Sequence, residues 1–141
     1  MIQLSVFGNP APQGSKRVFQ GRVVEAAGNK LKLWRKAVAS ACHNSRSEEH
    51  SLMLGPVRVE VDFYLLRPSS VTLKKRALPI VPPDLDKLLR STLDGIGQGY
   101  DTGKVGDGLI WGDDSQVVEI FARKFYADDR APGANIRIIE L

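Results

Sequence analysis

The chain has 141 residues, with 20 Lys and Arg against 16 Asp and Glu, so its formal net charge is +4 at pH 7. This length suits one domain, spanning 1–141, and is too short for two. No apolar run approaches the about 20 residues that a membrane helix requires, and the opening MIQLSVFGNP meets Pro and Gly too early for a signal peptide. Cys42 is the single cysteine, which excludes an intramolecular disulfide and a cysteine zinc cluster. These features favour a cytoplasmic protein with no membrane partner.

The first half of the chain predicts a strand, a loop and a helix. Apolar alternation predicts a strand over 1–7, and Pro and Gly then begin a loop that contains a small hairpin around 19–23. Asn29 is the predicted N-cap of a helix over 30–43. The buried stripe of that helix falls at helical spacing: Leu31, Trp34, Val38, Ala41 and Cys42.

Residues 56–66 give the clearest strand, since Val57, Val59, Val61, Phe63 and Leu65 alternate with polar neighbours. A proline-rich loop over 68–83 ends at Asp84, which precedes a predicted helix over 85–96. Residues 97–112 hold six glycines and predict a mobile loop without the Lys-Ser/Thr of a nucleotide-binding P-loop. Strands are predicted over 116–126 and 134–141. The order β-α-β-α-β-β predicts a small α/β sheet, α+β-like, with helices packed on one face.

Two acidic motifs contain the candidate catalytic residues. In PPDLDKLL, Asp84 and Asp86 stand at the start of the second helix, with Arg90 four residues after Asp86 on the same face. Helix capping and a surface ion pair, which is worth under about 1 kcal/mol, would also explain these residues. In WGDDSQVV, Asp113 and Asp114 follow Trp111, and an ordinary turn before a strand would explain them too. If the fold brings the two motifs together, their carboxylates would repel unless a cation such as Mg²⁺ neutralises them.

Basic residues bracket the acidic motifs along the sequence, which is the arrangement expected of a phosphate-binding groove. A solvated surface is the ordinary alternative for any one of them. The candidates for contact with a nucleic-acid backbone are Lys16, Arg17, Arg67, Lys74, Lys75, Arg76 and Lys124.

The chain resembles the RusA-type Holliday junction resolvases, which are common in phages and prophages. The resemblance rests on the opening strand followed by NPAP and a basic loop, on GRVVEA before the first helix, and on a strand that ends in LLRP. It rests above all on DLDKLL combined with WGDDSQVVEI at this separation. Members of that family are small, homodimeric, Mg²⁺-dependent endonucleases that act in DNA recombination and repair.

The resemblance implies that Asp84, Asp86 and Asp114 are catalytic carboxylates that bind one or two Mg²⁺ ions, with Mn²⁺ as a plausible substitute. Asp113 would be a neighbouring, supporting residue. The family has a functional Lys where this chain has Arg90, and an Arg cannot act as a general acid at neutral pH. The implied activity is the paired, symmetric cleavage of a four-way DNA junction by a homodimer. Two alternatives remain open: a related metal nuclease acting on flaps, forks or RNA, and a basic DNA-binding protein without catalysis.

Overall fold

The computed structural model describes residues 1–14, 16–19, 22–25, 28–45, 51–97 and 110–141. Its elements, in chain order, are β1 Ile2–Phe7, β2 Lys16–Phe19, β3 Arg22–Glu25, α1 Gly28–Ser45, β4 Val57–Leu65, α2 Leu85–Gly97, a 3₁₀ turn Asp114–Gln116, β5 Val117–Tyr126 and β6 Gly133–Glu140. The predicted strands, hairpin and helices are therefore confirmed to within a few residues. The predicted glycine-rich loop lies for the most part outside the described residues.

One boundary prediction is wrong. Asn29 lies inside α1 rather than before it, because the helix already begins at Gly28. Gly28 has a φ of 58°, a left-handed value that glycine adopts without strain. The chain can therefore turn into the helix one residue ahead of the predicted cap.

Four strands form a mixed sheet in the order β1-β6-β4-β5, and β2 with β3 forms a separate hairpin. β6 runs antiparallel to both β1 and β4, whereas β5 runs parallel to β4. Parallel neighbours need a crossover connection, and here that connection contains α2. In the described part of the chain, β5 is one edge of this sheet and β1 is the other.

The alternation along β4 divides the sheet into a covered face and an open face. Val57, Val59, Val61, Phe63 and Leu65 are all buried, as their spacing predicts, and they belong to a core that includes Trp34 and Leu88 from the two helices. The residues between them on β4 are only half-buried. The helices thus pack on one face of the sheet, which confirms the predicted α/β, α+β-like architecture.

The contact between α1 and α2 fixes where α2 lies. A Cβ added to Gly95 would come within 2.9 Å of the Val38 Cβ, so the helices approach closely there. The buried indole of Trp34 donates through Nε1 to Thr92 Oγ1 at 3.0 Å, and Ser91 Oγ donates to the Ala11 carbonyl oxygen at 2.6 Å. The face of α2 toward α1 therefore carries small polar residues whose hydrogen bonds are satisfied. No helix among the described residues is long and apolar enough to cross a membrane.

Candidate metal centre and active site

Two carboxylates are exposed where α2 begins, Asp84 just before the helix and Asp86 in its first turn. Leu88 N donates to the Asp84 carbonyl oxygen at 3.1 Å, which places Asp84 immediately before the helix. Its side chain is exposed and lies 3.6 Å from Lys87 Nζ. Asp86 and Arg90 are also exposed, and no ion pair joins them in the described part of the chain. The surface ion pair that the sequence allowed is thus not formed, and both charges are open to a ligand.

The loop before Asp84 is held by two basic side chains. Lys124 Nζ on β5 donates to the carbonyl oxygens of Val81 and Pro83 at 3.0 and 2.9 Å. Arg67 donates to both carboxylate oxygens of Asp128 and to the carbonyl oxygens of Arg76 and Ala77. Its guanidinium carbon also lies 4.1 Å from the centre of the Tyr126 ring. These contacts tie the proline-rich loop to the sheet and so set the position of Asp84.

Asp113 caps the 3₁₀ turn that precedes β5. Its Oδ1 accepts a hydrogen bond from Ser115 N at 2.8 Å, while Gln116 Oε1 accepts one from Asp113 N at 3.0 Å. These reciprocal bonds form a capping box. The hydrogen bonds from Ser115 lower the pKa of the Asp113 carboxyl. The turn interpretation of this residue is therefore confirmed.

Asp114 lies in a more crowded environment than its neighbour. Its Oδ1 accepts a hydrogen bond from Nε1 of the fully buried Trp111 at 2.9 Å. A Cβ on Gly97 would collide with the same oxygen, so Asp114 lies against the end of α2. Loss of hydration raises the pKa of the Asp114 carboxyl; the Trp111 bond lowers it, and the charges of Asp94 and Asp113 raise it further. A cation at this point would relieve that repulsion.

Asp94 is a candidate that the sequence interpretation missed. It lies close enough to Asp114 for their charges to interact, and its Oδ2 is 3.2 Å from Arg35 Nη2. The same Arg35 nitrogen donates to Gln13 Oε1 at 2.7 Å. A signal for Asp94 did exist, since it follows Asp86 and Arg90 at intervals of four residues along α2. No sequence signal distinguished Arg35, because it lies among the other basic residues of α1.

The two acidic motifs lie at opposite ends of α2 within one protomer. Asp86 is in the first turn, and Asp114 contacts Gly97, the last helical residue. Asp86 and Gly97 are eleven positions apart in the sequence, which corresponds to about 16 Å of helix. Among the described residues, no group of three or more His, Cys, Asp or Glu could hold a metal ion. A single protomer therefore does not bring Asp84 and Asp86 together with Asp114.

The predicted basic contacts fall into three groups. Lys74 and Lys75 are exposed on the proline-rich loop. Arg67, Arg76 and Lys124 are engaged within the protein, with Arg76 Nε donating to Tyr126 Oη at 2.8 Å. Lys16 and Arg17 lie on β2, but their side chains are outside the described part of the structure. Exposed positive charge is thus available on the loop that leads to Asp84.

Comparison with known protein families supports an endodeoxyribonuclease. The chain belongs to the RusA family: the family model described as "Endodeoxyribonuclease RusA" matches residues 8–139. It is also similar to the "Uncharacterized protein YqaN" of Bacillus subtilis (strain 168), with 28% identity over 151 residues, covering 99% of this chain and 96% of that protein. The family is one of Holliday junction resolving endonucleases, and it implies binding of branched DNA. The resemblance inferred from the sequence motifs is confirmed.

Proposed function

We propose that the protein is a Mg²⁺-dependent homodimeric endonuclease that resolves four-way DNA junctions by paired, symmetric cleavage. The observation that carries this proposal is the pair of solvent-exposed carboxylates, Asp84 and Asp86, on a loop and helix turn that the sheet holds in place. Family membership supplies the substrate class. Asp84 and Asp86 support a metal requirement, because clustered carboxylate oxygens are the ligands that Mg²⁺ prefers.

Asp84, Asp86 and Asp114 are the proposed ligands of one or two Mg²⁺ ions, with Mn²⁺ as a substitute. Such an ion would polarise the scissile phosphate and lower the pKa of bound water. Other residues of the protein would hold these carboxylates in position. Lys124 fixes the approach to Asp84 through Pro83, and Trp111 Nε1 orients Asp114. Asp113 supports Asp114 by capping the turn.

We propose that each centre is shared between two protomers. The separation of Asp86 from Asp114 along α2 supports this arrangement, because ligands at about 2.0–2.1 Å from one ion cannot span the length of a helix. Asp84 and Asp86 of one protomer would then act with Asp114 of the other. A dimer with two such sites suits a substrate that needs two symmetric cuts.

Arg90 is the proposed electrostatic partner of the reacting phosphate. It is exposed, it follows Asp86 by one turn of α2, and it is not engaged in an ion pair with that residue. A guanidinium remains charged at neutral pH, so Arg90 would stabilise the negative charge that develops on the phosphate oxygens. It would not donate a proton to the leaving oxygen.

Lys74, Lys75, Lys16 and Arg17 are the proposed contacts to the flanking DNA backbone, whereas Arg67, Arg76 and Lys124 act mainly by shaping the loop. Replacing Lys74 and Lys75 together by Ala should flatten the log–log dependence of junction affinity on salt by about two units, since each phosphate contact contributes about −0.9. The matched control is the double replacement of Lys30 and Lys36, which are exposed on α1. An unchanged slope in the first variant would exclude this loop from the interface.

The direct test separates binding from cleavage in the same variants. Asp86→Asn and Asp114→Asn should abolish Mg²⁺-dependent cleavage of a synthetic four-way junction and leave its gel-shift affinity equal or higher, because a negative charge beside phosphate is lost. Asp129→Asn, an exposed Asp in the turn after β5, is the control and should cleave normally. Equal loss of binding and cleavage would assign the aspartates a structural role. DNA flaps, DNA forks and RNA should be tested in the same assay. Faster cleavage of any of them than of the four-way junction would identify that substrate as the preferred one.

A further inference from the structure

The outer edge of β5 is exposed and carries apolar side chains on both faces of the sheet, beside the charged Glu119 and Arg123. Among the described strands, β5 pairs with β4 on one side and has no neighbour on the other. Val118, Ile120 and Phe121 are 60%, 46% and 58% exposed. Natural proteins usually protect such an edge with charges, proline or a covering segment. The opposite edge, β1, presents polar Gln3 and Ser5 along its middle instead.

We propose that two copies of this chain pair through β5, antiparallel and about a two-fold axis at Phe121, so that one sheet continues across both protomers. This inference builds on the homodimer of the proposed function and specifies its interface. An added strand satisfies the free backbone groups of the edge and buries the exposed apolar side chains. The occupant of the edge is therefore a second copy of β5.

The register follows from charge complementarity. Glu119, Phe121 and Arg123 share the open face, since they stand opposite Arg58, Glu60 and Asp62 of β4. A two-fold axis at Phe121 puts Glu119 opposite the partner's Arg123, and by symmetry puts Arg123 opposite the partner's Glu119. An axis at Ile120 would put Glu119 opposite the partner's Phe121. An axis at Ala122 would put Glu119 opposite the partner's Phe125. Of these registers, the one centred on Phe121 aligns opposite charges.

The two charged side chains are already positioned at the edge. Arg123 binds Asp62 through Nε and Nη2, each at 2.8 Å, and Nη1 takes no part in that bond. Its guanidinium carbon lies 5.4 Å from the centre of the Phe121 ring. Glu119 Oε2 is 3.4 Å from Arg58 Nη1. Neighbouring β4 side chains thus hold both charges in place before a partner arrives, which lowers the entropic cost of association.

The same pairing would bring the separated acidic motifs together. With the axis at Phe121, the partner's Val117 lies opposite Phe125, next to Lys124. Lys124 holds Pro83, the residue before Asp84. The 3₁₀ turn that carries Asp114 ends where β5 begins. Antiparallel pairing therefore directs the partner's Asp114 toward the end of α2 that carries Asp84 and Asp86.

Disulfide trapping tests the register without any cleavage readout. Residues directly opposite in antiparallel strands have Cα atoms about 4.5–5.5 Å apart, within the about 4.4–6.8 Å that a disulfide spans. Phe121→Cys should therefore form a covalent dimer in oxidised glutathione, at least ten times faster than Val118→Cys, whose two copies would lie about 20 Å apart along the strands. The native Cys42 is fully buried and burial raises its thiol pKa to about 12, so it does not compete. Equal rates, or no covalent dimer from Phe121→Cys, would overturn the proposal.

Solution mass provides an independent measurement. Light scattering should give a dimer for the wild type and for Gln3→Asp on the opposite edge, and a monomer for Phe121→Asp. A wild-type monomer, or a dimeric Phe121→Asp variant, would contradict the interface. A wild-type dimer that gives no Phe121→Cys cross-link would mean that another surface forms the dimer. A cross-linked dimer that fails to cleave junctions would instead overturn the proposed function and leave this interface intact.

Discussion

Lys124 on β5 donates a 2.9 Å hydrogen bond from Nζ to the carbonyl oxygen of Pro83, the residue that precedes Asp84. A second bond from the same nitrogen reaches the Val81 carbonyl oxygen at 3.0 Å. A lysine that sequence position alone would assign to DNA contact thus joins the edge strand of the sheet to the loop that carries a proposed metal ligand. The position of Asp84 depends on this link as well as on helix α2.

Lys124→Met tests that link. Loss of the two hydrogen bonds from a charged donor should lower the free energy of unfolding by about 1–3 kcal/mol. It should also slow single-turnover cleavage, because Asp84 loses its fixed approach. Lys36→Met on the exposed side of α1 is the control for the loss of a positive charge. A Lys124→Met protein with wild-type stability and wild-type cleavage would show that the link has no consequence.

Asp113 and Asp114 should respond to pH with opposite signs in the metal-free protein. The pKa of Asp114 is raised, mainly by loss of hydration, so its contribution to stability is full at low pH and is lost as the pH rises through the folded-state pKa. Asp114→Asn should therefore stabilise the protein at pH 7 and lose that advantage in acid.

The pKa of Asp113 is lowered by Ser115, so its contribution is present at neutral pH and is lost as the pH falls through the folded-state pKa. Asp113→Asn should therefore destabilise the protein at pH 7. Denaturant unfolding between pH 3 and pH 7 in a chelator measures both variants. Changes of the same sign at pH 7 would contradict the assigned environments.

Gly97→Ala should displace Asp114 without unfolding α2. An Ala is favoured over Gly within a helix by about 1 kcal/mol, but its Cβ would collide with the Asp114 carboxylate. A shift of about 1 Å in a catalytic group can cost about 10²-fold in rate, so single-turnover cleavage should fall on that scale. Gly55→Ala is the matched control, since its Cβ would meet the Glu140 side chain at an ordinary 3.8 Å. Similar rates in the two variants would place Asp114 outside the reaction.

Arg90 should be replaceable by Lys and not by Ala. If it acts through charge, Arg90→Lys retains substantial cleavage, whereas Arg90→Ala loses about 2–4 kcal/mol of transition-state stabilisation. The measurement is the single-turnover rate of both variants at saturating Mg²⁺, with unfolding stability as the control for a purely structural effect. A wild-type rate in Arg90→Ala would remove this residue from catalysis.

Local patterns were enough to predict most of the fold. The alternation along β4 identified its buried face, and the apolar spacing of α2 identified a helix beginning after Asp84. The apolar spacing of α2 could not show that Ser91, Thr92 and Gly95 are also buried. Thr92 and Gly95 contact α1, and Ser91 donates to the Ala11 carbonyl oxygen. Strand order was equally inaccessible, since the parallel placement of β5 beside β4 depends on long-range pairing.

The acidic motifs of the candidate site were visible in the sequence, but their spatial relation was not. Both motifs flank α2, and only the folded helix shows that its length separates Asp86 from Asp114. The roles of the basic residues were hidden for a similar reason. Lys124 binds a group more than forty residues away in the sequence, and Arg67 binds one more than sixty residues away. The basic character of these two residues alone gave no indication of such partners.

Mixing two inactive variants tests the shared metal centre most directly. Asp86→Asn and Asp114→Asn proteins, each unable to cleave, are combined and allowed to exchange protomers before addition of a four-way junction and Mg²⁺. If each centre takes Asp84 and Asp86 from one protomer and Asp114 from the other, the mixed dimer has one intact centre and one that carries both substitutions. Mixing should then restore nicking of one strand without full resolution. A mixture as inactive as its two components would contradict it.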